Sequence, residues 1–266
     1  MAWTTAARTR CWKARWWAST SPTLLAVAGL LVAATPTAAR SGAAAPVPHA
    51  STPVTVVIDP GHNRYANLGL EPIGPGSRTL KIKDGGGTSG VVTHQSEASV
   101  NLRIGLRLRT LLLAAGGVRV VMTRTTTCCV SRGNIYRAEI ANHNHAALFV
   151  RIHADGSTNH ATAGTSMLYP AWHKGWTDDV YSRSLQAAKI MQPYIVRALG
   201  WPNRGLVARG DLTGFNWSNV PVILTEVGFL TNPAEDRSLA TFLTVNKAAW
   251  ALRTGILADL HARGLR

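Results

Sequence analysis

Short apolar runs, separated by longer amphipathic stretches, are the feature of this sequence that most constrains its fold. The runs VTVVI at 54–58, VRVVM at 118–122 and ALFVRI at 147–152 are rich in β-branched residues and too short for helices. They lack the regular polar alternation of a half-exposed strand, which indicates strands buried on both faces. The same reasoning predicts two further strands, GTSMLY at 164–169 and VPVILT at 220–225.

Between these runs lie stretches in which apolar residues recur at helical spacing. In residues 96–115, Ile104, Leu108 and Leu112 fall on one side of a predicted helix, and Gly116 ends it. Because strands and helices alternate, we expect a single α/β domain whose mostly parallel, twisted sheet is flanked by helices on both faces. Further helices are predicted at 135–144, 178–199 and 241–263.

Residues 1–39 have the three-part organisation of a secretory signal peptide. Four basic residues and no acid precede an uncharged apolar run at 24–34, and small residues follow at 37–39. A membrane anchor is the weaker interpretation, because these eleven residues are too few for a span of about 20. We therefore predict export to the periplasm, cell wall or medium, with no transmembrane anchor. The small, proline-rich residues 40–52 predict a linker, which leaves 53–266 as the folded domain.

The charge of the chain predicts the kind of partner that its surface attracts. The formal net charge is +15, and removal of the four basic leader residues leaves +11. A surface of this charge attracts polyanions. Because an exported protein rarely meets nucleic acid, we expect anionic wall polymers or lipid headgroups instead, and we expect a monomer. A basic soluble protein with no polyanionic partner stays an open alternative.

Two further segments have several possible interpretations. Cys128 and Cys129 are adjacent and cannot close a long loop, so a vicinal disulfide, two thiols and an intermolecular bridge all stay open. Residues 63–93 are rich in glycine and proline. A loop of that length is usually functional or mobile, so we expect it to border a binding groove.

Polar residues stand at the ends of three predicted strands. His62, His153 and Glu226 each follow a buried run, and the carboxyl ends of strands are where α/β sheets bind ligands. Glu97 lies at the start of a helix. Two imidazoles and a carboxylate would suit a zinc ion with an open fourth position, beside which another acid could accept a proton from water. Taken alone, such residues are more often a turn histidine, a helix-start acid or a hydrogen-bonded carboxylate than parts of a catalytic site.

Four ordered motifs distinguish between these interpretations. They are IDPGHN at 58–63, SEASVNLRIGLRLRTLL at 96–112, ALFVRIHADGS at 147–157 and PVILTEVGFLTNPAED at 221–236. Together with Thr123-Arg124 and the R-x-x-x-A-N of residues 137–142, they resemble the zinc-dependent N-acetylmuramoyl-L-alanine amidases of the amidase-3 family. The resemblance covers residues 54–262, so 53–266 is expected to be a zinc amidase catalytic domain.

The resemblance implies a function for each of the strand-end residues. His62, Glu97 and His153 would hold one zinc ion per chain, and Glu226 would act as general base and then as general acid. The implied reaction hydrolyses the amide between the lactyl group of N-acetylmuramic acid and L-alanine, in peptidoglycan or its fragments. A catalytically silent peptidoglycan-binding domain and a zinc peptidase acting within the stem peptide are the alternatives.

Neighbouring residues have weaker predictions. Asp59 and Asn63 flank His62 and could orient it, although Asp59 could instead shape the turn before Pro60. Arg209 and Asp211 could contact the stem peptide, or could only meet solvent and cap a turn.

The sequence differs from other members of the family in the segment around Cys128-Cys129 and in the segment after Tyr169. The Cys128-Cys129 segment replaces a site where the family more often has an acid, which we interpret as a local loop change away from the metal. Only eight residues, 170–177, separate Tyr169 from the predicted helix at 178–199. We therefore expect none of the blocking helix that some family members carry. Trp172 and Trp176 lie in this segment and could stack on sugar rings or pack against the helix.

Overall fold

The computed structural model describes residues 53–266, so the predicted signal peptide at 1–39 and linker at 40–52 lie outside the described residues. In the described part the chain forms eight strands and six helices. The strands are β1 (Val54–Pro60), β2 (Asn67–Pro72), β3 (Leu80–Asp84), β4 (Val118–Met122), β5 (Leu148–Asp155), β6 (Thr165–Pro170), β7 (Asn203–Arg209) and β8 (Val222–Phe229). The helices are α1 (Glu97–Ala115), α2 (Asn134–His143), α3 (Tyr181–Leu199), α4 (Thr213–Asn216), α5 (Pro233–Leu239) and α6 (Phe242–Ala262).

The main sheet has six strands in the order β4-β1-β5-β8-β6-β7. All neighbours are parallel except β6, which runs antiparallel to β8. This confirms the mostly parallel α/β sheet. None of the helices in residues 53–266 is long and apolar enough to cross a membrane.

The central strands bury side chains on both faces, which explains their nearly unbroken apolar sequences. Val56 and Ile58 belong to one core cluster with residues of α1, α3 and α6. Val57 and Phe149 belong to a second cluster with residues of α2 and α4. The sheet is therefore covered on both faces, and its strand ends stay accessible at the edges.

Residues 63–93, expected to be a loop, contain the two-stranded hairpin of β2 and β3. The hairpin inverts the usual pattern, because Leu70 and Ile82 are exposed whereas Glu71 and Asp84 are buried. Glu71 accepts hydrogen bonds from the backbone N–H groups of Asn134 and Ile135 and so caps α2. The buried acids tie the hairpin to the domain.

Candidate metal centre and active site

Three side chains from separate elements converge at one edge of the sheet. His62 follows β1, Glu97 is the first residue of α1, and His153 lies near the end of β5. Their ligand atoms all lie within 4.8 Å of one another. Glu97 Oε1 is 3.3 Å from His62 Nε2 and 2.9 Å from His153 Nδ1. The fold thus brings together residues that are 35 and 56 positions apart in the chain.

His62 is held by a carboxylate that the sequence did not single out. Its Nδ1 lies 2.6 Å from Asp84 Oδ1, at the end of β3, which leaves Nε2 directed at Glu97. Burial alone would lower the pKa of His62, but hydrogen bonds with Asp84 and Glu97 outweigh it and raise the pKa to about 9. Asp84, rather than Asp59 or Asn63, therefore orients the imidazole.

Glu97 is fixed by the start of α1. Ser96 caps the helix by accepting a hydrogen bond from the Ser99 backbone, and this places the Glu97 carboxylate at the positive end of the helix dipole. Glu97 Oε2 accepts a hydrogen bond from the Thr88 backbone at 3.0 Å. Burial would raise the pKa of Glu97, but the bonds to His153 and His62 lower it well below its ordinary value. The carboxylate is therefore charged and ready to bind a cation.

Two glycines allow this close approach. A Cβ on Gly61 would overlap with the His153 ring. Gly87 has a φ of +75°, and a Cβ there would lie 2.6 Å from Glu97 Oε2 and 2.8 Å from the His62 ring. The glycines of the DPGH and GGG segments therefore bring backbone against the candidate ligands.

Glu226 lies beside the cluster on β8, directly paired with His153 of β5. Its Oε2 atom is buried and has no hydrogen-bond partner among the described residues. Burial, together with the nearby carboxylates of Glu97 and Asp155, raises the pKa of Glu226 well above its ordinary value. An uncompensated buried acid of this kind is typical of a functional site.

Asp59 and Asn63 stabilise the floor of the site instead of orienting His62. Asp59 is fully buried and accepts hydrogen bonds from Arg137 at 2.5 Å and Arg151 at 2.8 Å. Thr123 donates a third bond to the same carboxylate, and Asn63 accepts a bond from Arg137. Burial would raise the pKa of Asp59, but the two guanidinium groups hold it far below its usual range.

A cavity of about 530 Å³ opens over the cluster. Its lining includes His62, Glu97, His153, Asp155 and Glu226. Glu226 also lines two neighbouring depressions of about 260 and 390 Å³, so the three cavities adjoin at this residue. Together the three cavities form the groove beside the cluster.

The donor set fits a zinc ion. Ligand atoms of a tetrahedral zinc, each about 2.0–2.1 Å from the metal, lie about 3.3 Å apart, close to the distances found around Glu97 Oε1. Several carboxylates crowd the cavity, and a divalent cation would offset their mutual repulsion.

The sequence is similar to known proteins over most of its length. A sequence model of the family described as N-acetylmuramoyl-L-alanine amidase (amidase-3) matches residues 56–258. The N-acetylmuramoyl-L-alanine amidase Rv3717 of Mycobacterium tuberculosis is 32% identical over 257 residues, which cover 90% of this chain and 98% of that protein. The chain belongs to this amidase family. It is an enzyme of the N-acetylmuramoyl-L-alanine amidase class, as the four sequence motifs had indicated.

Two further relatives define the extent of the amidase domain. The crystal structure of the amidase Ami1 from Mycobacterium smegmatis superposes with a TM-score of 0.71 at 29% identity. It covers 79% of this chain and 97% of its own, so that crystallised chain consists almost wholly of this domain. The amidase LytC of Bacillus subtilis is 27% identical over 61% of this chain, which spans only 31% of LytC.

Arg209 and Asp211 lie at the margin of the amidase groove. Arg209 lines both smaller depressions beside Glu226. Asp211 forms a paired hydrogen bond with Arg209, at 2.6 and 2.7 Å, and also contacts Lys81 of the hairpin. The side chain of Asp211 is half exposed, so the pair is a surface clamp between β7 and the hairpin.

Trp172 and Trp176 lie in the segment between β6 and the long helix α3. Trp176 stacks on His173 at 3.9 Å and donates a hydrogen bond to the Pro75 carbonyl of the hairpin. Trp172 is 59% exposed. The segment at 171–180 that contains both forms turns and no helix, as expected for an enzyme without the blocking helix.

The vicinal cysteines lie in an exposed loop next to the segment that follows His62. The Sγ atoms of Cys128 and Cys129 are exposed and lie 2.8 Å apart. Asn63 donates a hydrogen bond to the Cys128 carbonyl, and the Arg64 N–H bonds to the Thr127 carbonyl. The two cysteines therefore lie close to the segment that follows His62. The sequence had predicted a loop change away from the metal, so the pair is nearer to the candidate ligands than expected.

Proposed function

We propose that this amidase hydrolyses the bond between the lactyl group of N-acetylmuramic acid and L-alanine in peptidoglycan or its fragments, with one zinc ion. His62, Glu97 and His153 would hold the ion, and Glu226 would be the catalytic residue. The observation that carries the proposal is the convergence of these three donors beside an unpartnered buried carboxyl in one open groove.

The zinc site, Glu226 and Asp84 have different roles in the proposed reaction. Zinc, when bound, supplies a Lewis acid that lowers the pKa of water and polarises the scissile carbonyl. Glu226 accepts the proton of the attacking water and then donates it to the departing L-alanine nitrogen. A nearby cation would lower the raised pKa of Glu226, so that the carboxylate form is available at neutral pH. Asp84 keeps His62 in the orientation that presents Nε2.

The decisive experiment digests purified peptidoglycan and soluble muropeptides and identifies the products by mass spectrometry. Free stem peptides with intact glycan, lost on chelation and restored by zinc, are the expected result. Cleavage inside the stem peptide would replace the proposal with a zinc peptidase. A protein that binds zinc and wall but releases nothing would be a silent wall-binding domain.

Asp84→Asn tests how the protein positions a ligand. Because partners behind a metal ligand typically contribute 10- to 100-fold to metal affinity or activity, we expect zinc affinity to fall by about that range. Competition with a chromophoric chelator measures it. Asp179→Asn, an exposed loop carboxylate, is the matched control and should bind zinc like the wild type. Equal affinities for Asp84→Asn and wild type would remove Asp84 from this role.

Arg209→Ala tests the proposed contact with the stem peptide. We expect KM to rise about tenfold, with a smaller change in kcat. A guanidinium beside the groove would bind a substrate carboxylate equally in the ground state and in the transition state, so its loss would weaken binding more than it slows the chemical step. Steady-state assays on muropeptides with free and amidated side-chain carboxyls check this. An unchanged KM for the free acid would assign Arg209 and Asp211 to the hairpin clamp alone.

The setting of the enzyme follows from the remaining sequence predictions. We propose export directed by residues 1–39, a linker at 40–52, and a monomeric catalytic domain at 53–266 that needs no release from a blocking helix. The net charge of +11 favours retention by anionic polymers of the wall.

A further inference from the structure

The helix layer on one face of the sheet carries charge of a single sign. Helices α1, α3 and α6 pack side by side over the first core cluster. Eight Lys and Arg side chains on these helices are exposed or half exposed, among them Arg109, Arg197 and Lys247. The two acids of the three helices, Glu97 and Asp259, are both buried. The outward surface of these helices, called the helix face below, is therefore purely cationic.

Large apolar side chains project from the same helix face. Phe242 and Leu243 open α6 and are 74% and 61% exposed, and Trp250 lies two turns further along at 43%. Leu106 and Leu113 of α1 are also exposed. Five large apolar side chains of this layer are therefore exposed next to its cations.

The aromatic rings are interleaved with the cations. Arg107 lies over the Phe242 ring at 6.0 Å, and Arg253 over the Trp250 ring at 4.9 Å. Beside Trp250, a shallow groove of about 420 Å³ runs between α3 and α6, with Arg197 and Lys247 in its lining. Aromatic and aliphatic groups between Lys and Arg are typical of helices that lie in the interface of a bilayer.

We propose that the helix face is a docking surface for an anionic phospholipid bilayer. An anionic wall polymer would satisfy the cations but is hydrophilic, and it would leave Phe242 and Leu243 in water. A lipid interface offers phosphates to the arginines and an apolar layer to these side chains. The proposal does not depend on zinc or on the assignment of Glu226.

The direction of the helices places the catalytic groove beside the docked surface. Arg107 of α1 donates a hydrogen bond to Asn246, and Arg253 of α6 bonds to the Leu111 carbonyl, so the two helices run parallel. Phe242 and Leu243 therefore lie toward the end of the domain that carries Glu97. In an exported enzyme this arrangement directs hydrolysis to the wall layer next to the membrane.

Vesicle binding tests the docking surface with residues 53–266, a compact unit equivalent to the chain crystallised for the M. smegmatis relative. The probes are phosphatidylcholine vesicles with and without phosphatidylglycerol, sedimented at physiological ionic strength. We expect the wild type to bind only the vesicles that contain phosphatidylglycerol. Affinity for these vesicles should fall about tenfold or more in the double variant Phe242→Ser with Leu243→Ser. The double variant Arg197→Glu with Lys247→Glu should lose affinity to a similar extent. Brominated lipid should quench tryptophan emission in the wild type and less in Trp250→Phe.

Matched controls lie elsewhere on the domain. Two double variants should bind vesicles like the wild type. One is Leu68→Ser with Leu70→Ser, which changes similarly exposed leucines of the hairpin. The other is Arg78→Glu with Arg132→Glu, which reverses the charge of two exposed arginines. The helix-face variants should keep wild-type activity on soluble muropeptides, which shows that they fold. No binding by the wild type, or equal losses in the controls, would overturn the proposal. So would binding to wall polymer alone, or a dimer that the Phe242 and Leu243 substitutions dissociate.

Discussion

Replacing Glu226 with glutamine should lower kcat on muropeptides by about 10²–10⁴-fold, the usual contribution of a positioned general acid–base. The amide has nearly the same shape but cannot accept a proton from water. Zinc content should stay at one ion per chain, because the candidate ligands are other residues. Thermal stability should not fall, because the buried carboxyl, whose pKa is raised, has no partner to lose.

The measurements are product release by mass spectrometry and zinc content by elemental analysis of the same preparation. Glu139→Gln is the matched control, since it makes the same change on an exposed residue of α2 and should leave kcat unaltered. Retention of more than about a tenth of wild-type kcat in Glu226→Gln would exclude general base catalysis by this residue. Loss of zinc together with activity would instead make Glu226 a ligand.

The second large effect is expected in stability. Asp59→Asn leaves the guanidinium groups of Arg137 and Arg151 buried without their shared counter-charge. Breaking a buried ion pair on one side typically costs about 3–5 kcal/mol. At about 2–4 °C per kcal/mol for a domain of this size, the melting temperature should fall by about 6–20 °C. Urea denaturation followed by circular dichroism measures the loss of free energy of unfolding.

The pH dependence of this effect has a definite sign. The pKa of Asp59 is lowered in the folded state, so its contribution is present above the unfolded-state pKa of about 3.8 and is lost as the pH falls below it. The difference between wild type and Asp59→Asn should stay constant from about pH 5 upward and shrink in stronger acid. Asp211→Asn is the contrasting control, because its pairs are half exposed and contribute at most about 1 kcal/mol. Equal losses from both substitutions would contradict this interpretation.

The parts of the fold that sequence reasoning predicted are those in which local pattern and burial agree. β1, β5 and β8 are short β-branched runs buried on both faces, and their ends bring His62, His153 and Glu226 to one edge. The helix α1 was predicted from its apolar spacing, and Glu97 from its position at the first turn. The roles of these residues stay proposals, but their juxtaposition follows from the topology.

The hairpin and Asp84 were missed for a physical reason. β2 and β3 expose their apolar residues and bury their acids, so the pattern that normally identifies a strand is reversed. Asp84 lies 22 residues from His62 in a glycine-rich segment, and nothing local connects the two. The one available signal was that Asp84 directly precedes three glycines, a residue type that allows backbone to approach a site closely.

Asp59 was linked to His62 by proximity in the sequence alone. In a strand, successive side chains point to opposite faces, and neighbours in sequence need not share a site. Asp59 is instead joined to Arg137 of α2 and Arg151 of β5, residues 78 and 92 positions away. Pairings of that range depend on the finished topology, which periodicity does not reveal.

The direct pairing of His153 with Glu226 limits how this enzyme can be altered by insertion or deletion. Backbone hydrogen bonds between β5 and β8 hold the two residues one strand spacing apart, about 4.8 Å. One extra residue in β8 before Glu226 would turn its carboxyl to the opposite face, and two would restore the face but displace it by about 6.6 Å. Libraries that vary segment length should therefore recover active clones with changed hairpins and loops, and none with either strand lengthened upstream of these residues.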